Sequence, residues 1–241
     1  MIRRIAILAV TALIAGGFAA RAQTSAPPLI YYGNAAGQLT MDRDREGGNP
    51  LASGLIDVLQ KLPVSLSEFS SRLAVSTWMH SGEWQRVQVP KRLPDPGFRL
   101  APGAGQTRVA LVLTNSDYGN SGVASLPGAR FDAKRLTEAL EKAGFETQSL
   151  LDASDAAVRD ALSEFAARST HADVSLIYLG GHGVQHARVV YWILRDYPDP
   201  RSDAYLASHA LTLAQVSAAA KARDLNLILY GGCRDDPFRH D

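Results

Sequence analysis

The sequence predicts an α/β protein built on a mostly parallel sheet with helices on both faces. Three observations carry this. From residue 107 to 241, short apolar runs alternate with amphipathic segments, the order that βα units produce. The apolar runs are continuous rather than alternating, as in strands covered on both faces. Composition agrees: 46% of the 241 residues are apolar, 20% are charged and the formal net charge is +1, so the chain can bury a core and is not globally disordered. The near-zero net charge also argues against a nucleic-acid partner.

Arg3 and Arg4 precede an apolar run over residues 5–15, broken only by Thr11, and Ala20-Arg21-Ala22 supplies small residues where a signal peptidase reads. Residues 1–22 are therefore expected to be a secretory signal peptide cleaved after Ala22. The run is shorter than the roughly 20 residues a membrane span needs, and no longer one follows. The mature protein is expected to be periplasmic or secreted, with no membrane association.

Residues 29–32 read as a strand. Asn49-Pro50 places an N-cap before a proline at the first helical position, with Leu51, Leu55, Val58 and Leu59 as the apolar stripe. Ser65 and Glu68 form a capping box for a second helix that buries Phe69 and Leu73. Residues 91–106, with Pro94, Pro96, Pro102 and three glycines, read as an extended linker between segments 23–90 and 107–241. Beyond it, Val109-Ala110-Leu111-Val112-Leu113 is a buried strand, followed by a polar loop holding Asn115, Asp117 and Gly119. A helix with Leu136, Ala139, Leu140 and Ala143 ends before Gly144. Residues 147–151 form a strand, and Val158, Leu162, Phe165 and Ala166 mark the next helix. Strands follow at 174–179 and 189–194, then a capping box at Thr212 and Gln215, then a strand at 225–230. There is no internal repeat.

In a parallel sheet, sites form beyond the carboxyl ends of the strands. Two turns loaded with chemistry lie there, Gly181-His182-Gly183 and Gly232-Cys233-Arg234. If their strands are neighbours, an imidazole and a thiol face one crevice. Cys233 is the single cysteine, so no intramolecular disulfide can form, and the residue is either a small buried hydrophobe or a reactive thiol. A histidine beside it would raise the thiolate fraction and later protonate a leaving amine. The N–H groups of Gly183 and Cys233 would then hold an oxyanion. His186 follows His182 at the spacing of a helical zinc pair, but Gly183 stands where that motif needs Glu, so His186 is read as a solvated loop residue and no metal site is expected.

These residues resemble the caspase-like peptidases, and in particular the bacterial metacaspase/paracaspase-like group. Residues 108–115 and Leu126-Pro127-Gly128-Ala129 with Asp132-Ala133 resemble the opening of their domain. Tyr178-Leu179-Gly180-Gly181-His182-Gly183 is similar to their histidine loop, and Cys233-Arg234-Asp235-Asp236-Pro237-Phe238 to their nucleophile motif. His182 and Cys233 are 51 positions apart (233 − 182), against about 50 in caspases. The resemblance implies a cysteine endopeptidase with His182 as base and acid and Cys233 as nucleophile. It implies cleavage of protein or peptide substrates after Arg or Lys, with Asp132 and Asp42 as acids of the specificity pocket. A further acid of that pocket usually stands two residues before the nucleophile, where this chain has Gly231.

In the family a strand and helices follow the nucleophile, whereas here Asp241 is soon reached. Residues 29–38 and Gly48-Asn49-Pro50-Leu51 resemble that piece, so a circular permutation is expected, with residues 23–90 completing one caspase-like domain with residues 107–241. Residues 29–32 should then pair beside the strand that delivers Cys233. Some relatives depend on calcium, but no calcium loop is recognisable, and no cofactor is expected. The alternative of another class is a catalytically inactive caspase-like module that binds peptides or partner proteins. Retention of both dyad residues favours the enzyme.

Overall fold

The computed structural model describes residues 25–101, 105–119, 122–199 and 202–235. The expected signal peptide and Asp236-Pro237-Phe238 lie outside the described residues. β1 (Pro28–Tyr32) leads to α1 (Pro50–Leu59), and β2 (Val64–Ser65) runs directly into α2 (Leu66–His80). β3 (Arg99–Leu100) returns antiparallel to β2. The βα units follow as β4 (Arg108–Thr114), α3 (Pro127–Lys142), β5 (Glu146–Leu151), α4 (Asp155–Ser169) and β6 (Val174–Gly180). Then come β7 (Gly183–His186), β8 (Val189–Ile193), α5 (Leu206–His209), β9 (Ala210–Thr212), α6 (Leu213–Ser217) and β10 (Leu225–Tyr230).

The helices start where local chemistry says they should. The Asn49 side chain accepts from the Leu51 N–H with Pro50 at the first helical position, and Ser65 with Glu68 closes a full capping box on α2. Thr212 with Gln215 does the same for α6. α3 is different: Leu126 offers no side-chain cap, and the Gly128 N–H is satisfied from afar by the Asp42 carboxylate at 3.1 Å.

The central sheet has the order β1-β10-β6-β4-β5, and every pairing in it is parallel. β4, β6 and β10 are buried along their whole length, which accounts for their uninterrupted apolar sequences. Alternate residues feed two cores. On one face Ala110, Val112, Leu176, Tyr178, Leu227 and Leu229 pack with α1, α2 and α3 through Leu51, Leu55, Phe69, Leu73, Leu136 and Leu140. On the other, Leu111, Leu113, Ile177, Leu179 and Ile228 pack with α4 and α6 through Val158, Phe165 and Val216.

β1 sits at the sheet edge beside β10, in register from Pro28↔Asn226 to Tyr32↔Tyr230. Tyr31 anchors it. The side chain is fully buried, meets Phe69 edge-on at 5.6 Å, and shares a 2.8 Å hydrogen bond with the Ser70 hydroxyl.

Two local readings differ from the sequence expectation. His186 is the last residue of β7 rather than a loop residue, because residues 183–186 pair antiparallel with residues 189–192 in a small separate sheet, β7-β8-β9. Its Nε2 lies 3.3 Å from the Asp203 carboxylate. The described residues 91–101 form no long regular element, yet Leu93 and Phe98 pack against the core, Leu100 is buried, and the Leu66 and Ser67 N–H groups donate to Phe98 O and Pro96 O, so this stretch is fastened to the start of α2 rather than merely spanning.

If β1 is integral to the sheet, Tyr31→Ala should cost about 3–5 kcal/mol, the price of emptying a fully buried aromatic site. Tyr31→Phe should cost about 1 kcal/mol, since Ser70 can still donate to the Leu66 carbonyl. Urea unfolding of both variants reads these values, and a loss under 1 kcal/mol for Tyr31→Ala would show that β1 packs elsewhere.

Candidate active site

β6 and β10 are neighbours, with Leu179 opposite Tyr230, and the Gly231 N–H donates to the Leu179 carbonyl at 2.8 Å. The two glycine turns therefore leave the sheet side by side. Gly181 has φ +130°, and a Cβ there would lie 2.8 Å from the Tyr118 hydroxyl, so only glycine serves. A Cβ at Gly183 would overlap the Tyr230 hydroxyl, and one at Gly232 would come within 2.7 Å of it. That buried hydroxyl lies against both turns and reaches the Tyr191 carbonyl at 2.9 Å and the Cys233 carbonyl at 3.1 Å. Burial raises its pKa well above the usual phenol value, so it remains a donor.

His182 is held at three points. Its N–H donates to the Tyr118 hydroxyl at 2.7 Å, its ring lies 4.9 Å from the Tyr118 ring, and its Nε2 is 2.7 Å from the Ala124 carbonyl. A carbonyl can only accept, so Nε2 carries the proton and Nδ1 is left as the basic atom. Burial pushes the imidazole pKa below its ordinary value; the Ala124 carbonyl, Asp42 and Asp235 oppose this without cancelling it.

Cys233 is half-buried, and its Sγ accepts from the Thr40 N–H at 3.3 Å and lies 3.4 Å from the Thr40 hydroxyl, which also donates to the Gly231 carbonyl at 3.0 Å. Among the described residues the Cys233 N–H has no acceptor, as an oxyanion donor requires. Arg234 brings the Thr40 segment to the thiol. Its N–H donates to Gln38 O, its carbonyl accepts from the Gly37 N–H, and its guanidinium stacks 3.9 Å from the Tyr32 ring centroid.

Asp42, Asp132, His182 and Cys233 line one cavity of about 110 Å³, together with Thr40, Asn49 and Gly231. Gly183 lines a second cavity that also touches His182 and Cys233. Asp132 is fully buried and accepts from the Asn49 N–H at 3.1 and 3.0 Å. Burial drives its carboxyl well above the carboxylate range, and the Asn49 N–H and Arg135 only partly offset this.

The missing acid has a structural counterpart. A Cβ at Gly231 would stand 3.0 Å from the Tyr178 hydroxyl and 3.2 Å from Leu179 O. That hydroxyl is buried beside the Asp132 carboxylate, so a side chain at 231 would have to displace it.

A larger groove of about 820 Å³ opens beside α1 and α2, away from the dyad. Ser76 and His80 there both bind the Asp57 carboxylate, so the imidazole faces the carboxylate rather than the serine hydroxyl, and the pair is not arranged as a nucleophile and its histidine base.

Residues 107–234 match the caspase domain family. The chain belongs to the caspase-domain family. It is also similar to human mucosa-associated lymphoid tissue lymphoma translocation protein 1, with 26% identity over 129 residues. That alignment covers 53% of this chain and 15% of the relative, so the chain spans a small part of that protein. The match begins at β4 and closes just after Cys233, and β1, α1, Thr40 and Asp42 lie outside it. The caspase-domain signal thus contains His182, Cys233, Gly183 and Asp132. Thr40, Asn49, Tyr118, Tyr178, Tyr230 and the Ala124 carbonyl were not singled out from sequence as site residues. A backbone carbonyl leaves no sequence signal, and the contacts between Thr40 and Cys233 span 193 positions.

Restoring the acid as Gly231→Asp should destabilise this caspase domain by about 1–3 kcal/mol through overpacking against Tyr178. Tyr178→Phe in the same chain should recover part of that loss by removing the hydroxyl. Thermal unfolding of the single and double variants measures it, and strictly additive effects would remove Tyr178 from the explanation.

Proposed function

We propose that this caspase-domain chain is an exported cysteine endopeptidase that cleaves proteins or peptides after Arg or Lys, with His182 and Cys233 as its dyad. The observation that carries the reading is the state of His182. Its Nε2 is engaged by Ala124 O, while the ring lines the same cavity as the Cys233 thiol and two carboxylates.

The chemistry follows from these atoms. Nδ1 of His182 takes the thiol proton, and the Cys233 sulfur adds to the scissile carbonyl carbon. The negative oxygen is received by the N–H groups of Gly183 and Cys233. As the intermediate collapses, the C–N bond breaks and the imidazolium returns its proton to the leaving amine. Water, deprotonated by the same imidazole, adds to the thioester, and its collapse releases the carboxylate product and restores the thiol. Asp132 and Asp42 receive the basic side chain before the bond that is cut. A guanidinium entering a buried site gains a charge-assisted bond to Asp132 and adds to the counter-charge of Arg135. Export rests on residues 1–22, whose charge and apolar pattern suit a secretory leader.

A thiol-directed peptide probe ending in Arg should label Cys233, and His182→Ala should abolish the labelling. Cys233→Ala should remove all hydrolysis of Arg peptides while the far-ultraviolet spectrum stays unchanged. Undiminished turnover in Cys233→Ala would refute the assignment, and an intact chain that neither labels nor cleaves would favour the peptide-binding module.

The pH dependence has a definite sign. Asp132, with its pKa raised, is neutral at low pH and cannot pair with a cation, so kcat/KM for Arg substrates should climb as it ionises. His182, with its pKa lowered, supplies a neutral base down to a pH below its ordinary value of 6.5. Asp132→Asn should cut cleavage after Arg about ten-fold or more and leave only the imidazole limb of the profile. An unchanged profile in that variant would place Asp132 outside the specificity pocket.

A further inference from the structure

The groove of about 820 Å³ on α1 and α2 shares no lining residue with either cavity at the dyad. The sequence of α2 makes it apolar. One face of that helix goes to the core through Leu66, Phe69 and Leu73, all buried. Val75 and Met79 lie on another face, four residues apart and so one turn above the other. They are 62% and 61% exposed, more than any other large hydrophobic residue among the described residues. A β-branched valine at an exposed helix position lowers helix propensity and gains no burial in return. Isolated exposed hydrophobics are ordinary, but these two line one groove, with the buried Val58 of α1 beside them.

The charges around this apolar surface are unequally satisfied. Arg45 and Lys61 line the groove, are exposed, and have no side-chain partner among the described residues. Arg72 has only Glu68, an exposed i,i+4 pair at 3.9 Å that holds it weakly. The acids of the groove are already matched. The Glu46 carboxylate accepts from Arg135 Nη2 at 2.8 Å, and Asp57 accepts from the Ser76 hydroxyl and lies 2.9 Å from His80 Nε2. A ligand entering the groove therefore meets apolar side chains between cations that lack carboxylates.

We propose that this groove is a docking site for an acidic peptide segment of a protein partner, one that presents apolar side chains between carboxylates. Charge complementarity decides the class. An apolar segment flanked by Lys or Arg would bring like charge to Arg45, Lys61 and Arg72, and an acidic segment without apolar side chains would leave Val75 and Met79 in water. Met79 suits the role, because its unbranched thioether adapts to the side chain it meets. Docking here requires no cleavage, so the inference stands apart from the peptidase reading.

The test uses the full chain and fluorescent peptides of equal length, read by fluorescence anisotropy. The probe is built of Leu and Glu, with the leucines at helical spacing. One control carries Lys in place of every Glu, and another carries Ser in place of every Leu. The Leu–Glu peptide should bind with a Kd on the order of 10 μM, and each control at least about ten-fold more weakly. Met79→Glu and Lys61→Glu, both at exposed positions, should each weaken the Leu–Glu peptide about five-fold or more while thermal unfolding stays unchanged. No binding at about 1 mM peptide would overturn the site. Equal binding of the Lys peptide, or affinity unmoved by both substitutions, would overturn it as well. Two further outcomes would assign the groove to another occupant and so overturn the proposal. One is pelleting with phosphatidylglycerol vesicles, lost in Lys61→Glu, with no peptide bound. The other is a dimer in sedimentation that Met79→Glu dissociates and the Leu–Glu peptide does not.

Discussion

The site depends on the Tyr230 hydroxyl. Tyr230 is the last residue of β10, between β1 and β6, and its ring passes under both glycine turns. The space its hydroxyl takes is the space a side chain at 183 or 232 would need, and its two carbonyl contacts join the β8 strand behind His182 to the backbone of Cys233. Two loops proposed to bring a base and a nucleophile together need a fixed separation, because a shift of an ångström is felt strongly in catalysis. Here a rigid aromatic ring on a fully buried strand sets that separation, and glycines are the complement that lets the backbone close on it.

The second constraint is that the site draws on both ends of the chain. Residues 37–42 run past the Cys233 turn, paired to the backbone of Arg234, and deliver Thr40 to the sulfur and Asp42 to the pocket. Asp42 also satisfies the first turn of α3, whose own N-cap position holds Leu126. The Asn49 N–H binds the carboxylate of Asp132, which sits on the same helix. The early segment and α3 are thus tied together through the carboxylates proposed to read the substrate, which couples the geometry of the pocket to the packing of β1, α1 and α3.

Much of the fold was legible because its signals are local. Asn49-Pro50, Ser65 with Glu68 and Thr212 with Gln215 mark helix starts by hydrogen bonds made within three residues. Continuous apolar runs identified β4, β6 and β10, since strands covered on both faces have no polar alternation to show. His182 and Cys233 stood out through their glycine context at strand ends. β7 was not legible: Gly183-Val184-Gln185-His186 carries no strand pattern, and it forms only by pairing with residues 189–192.

The sequence by itself determined the element order, the parallel class of the sheet, and the positions of the imidazole, the thiol and the two aspartates, because each depends on side-chain type and on spacing along the chain. Tertiary structure decided which imidazole nitrogen is basic, since that follows from the Ala124 carbonyl, 58 positions away. It decided that Asp132 sits buried, that the Tyr178 hydroxyl stands close against Gly231, and that Thr40 touches the sulfur. It also divided the space at the dyad into an acidic and an apolar cavity. Protonation state, burial and cavity shape are properties of neighbours in space, and those neighbours come together only when the sheet closes β1 onto β10.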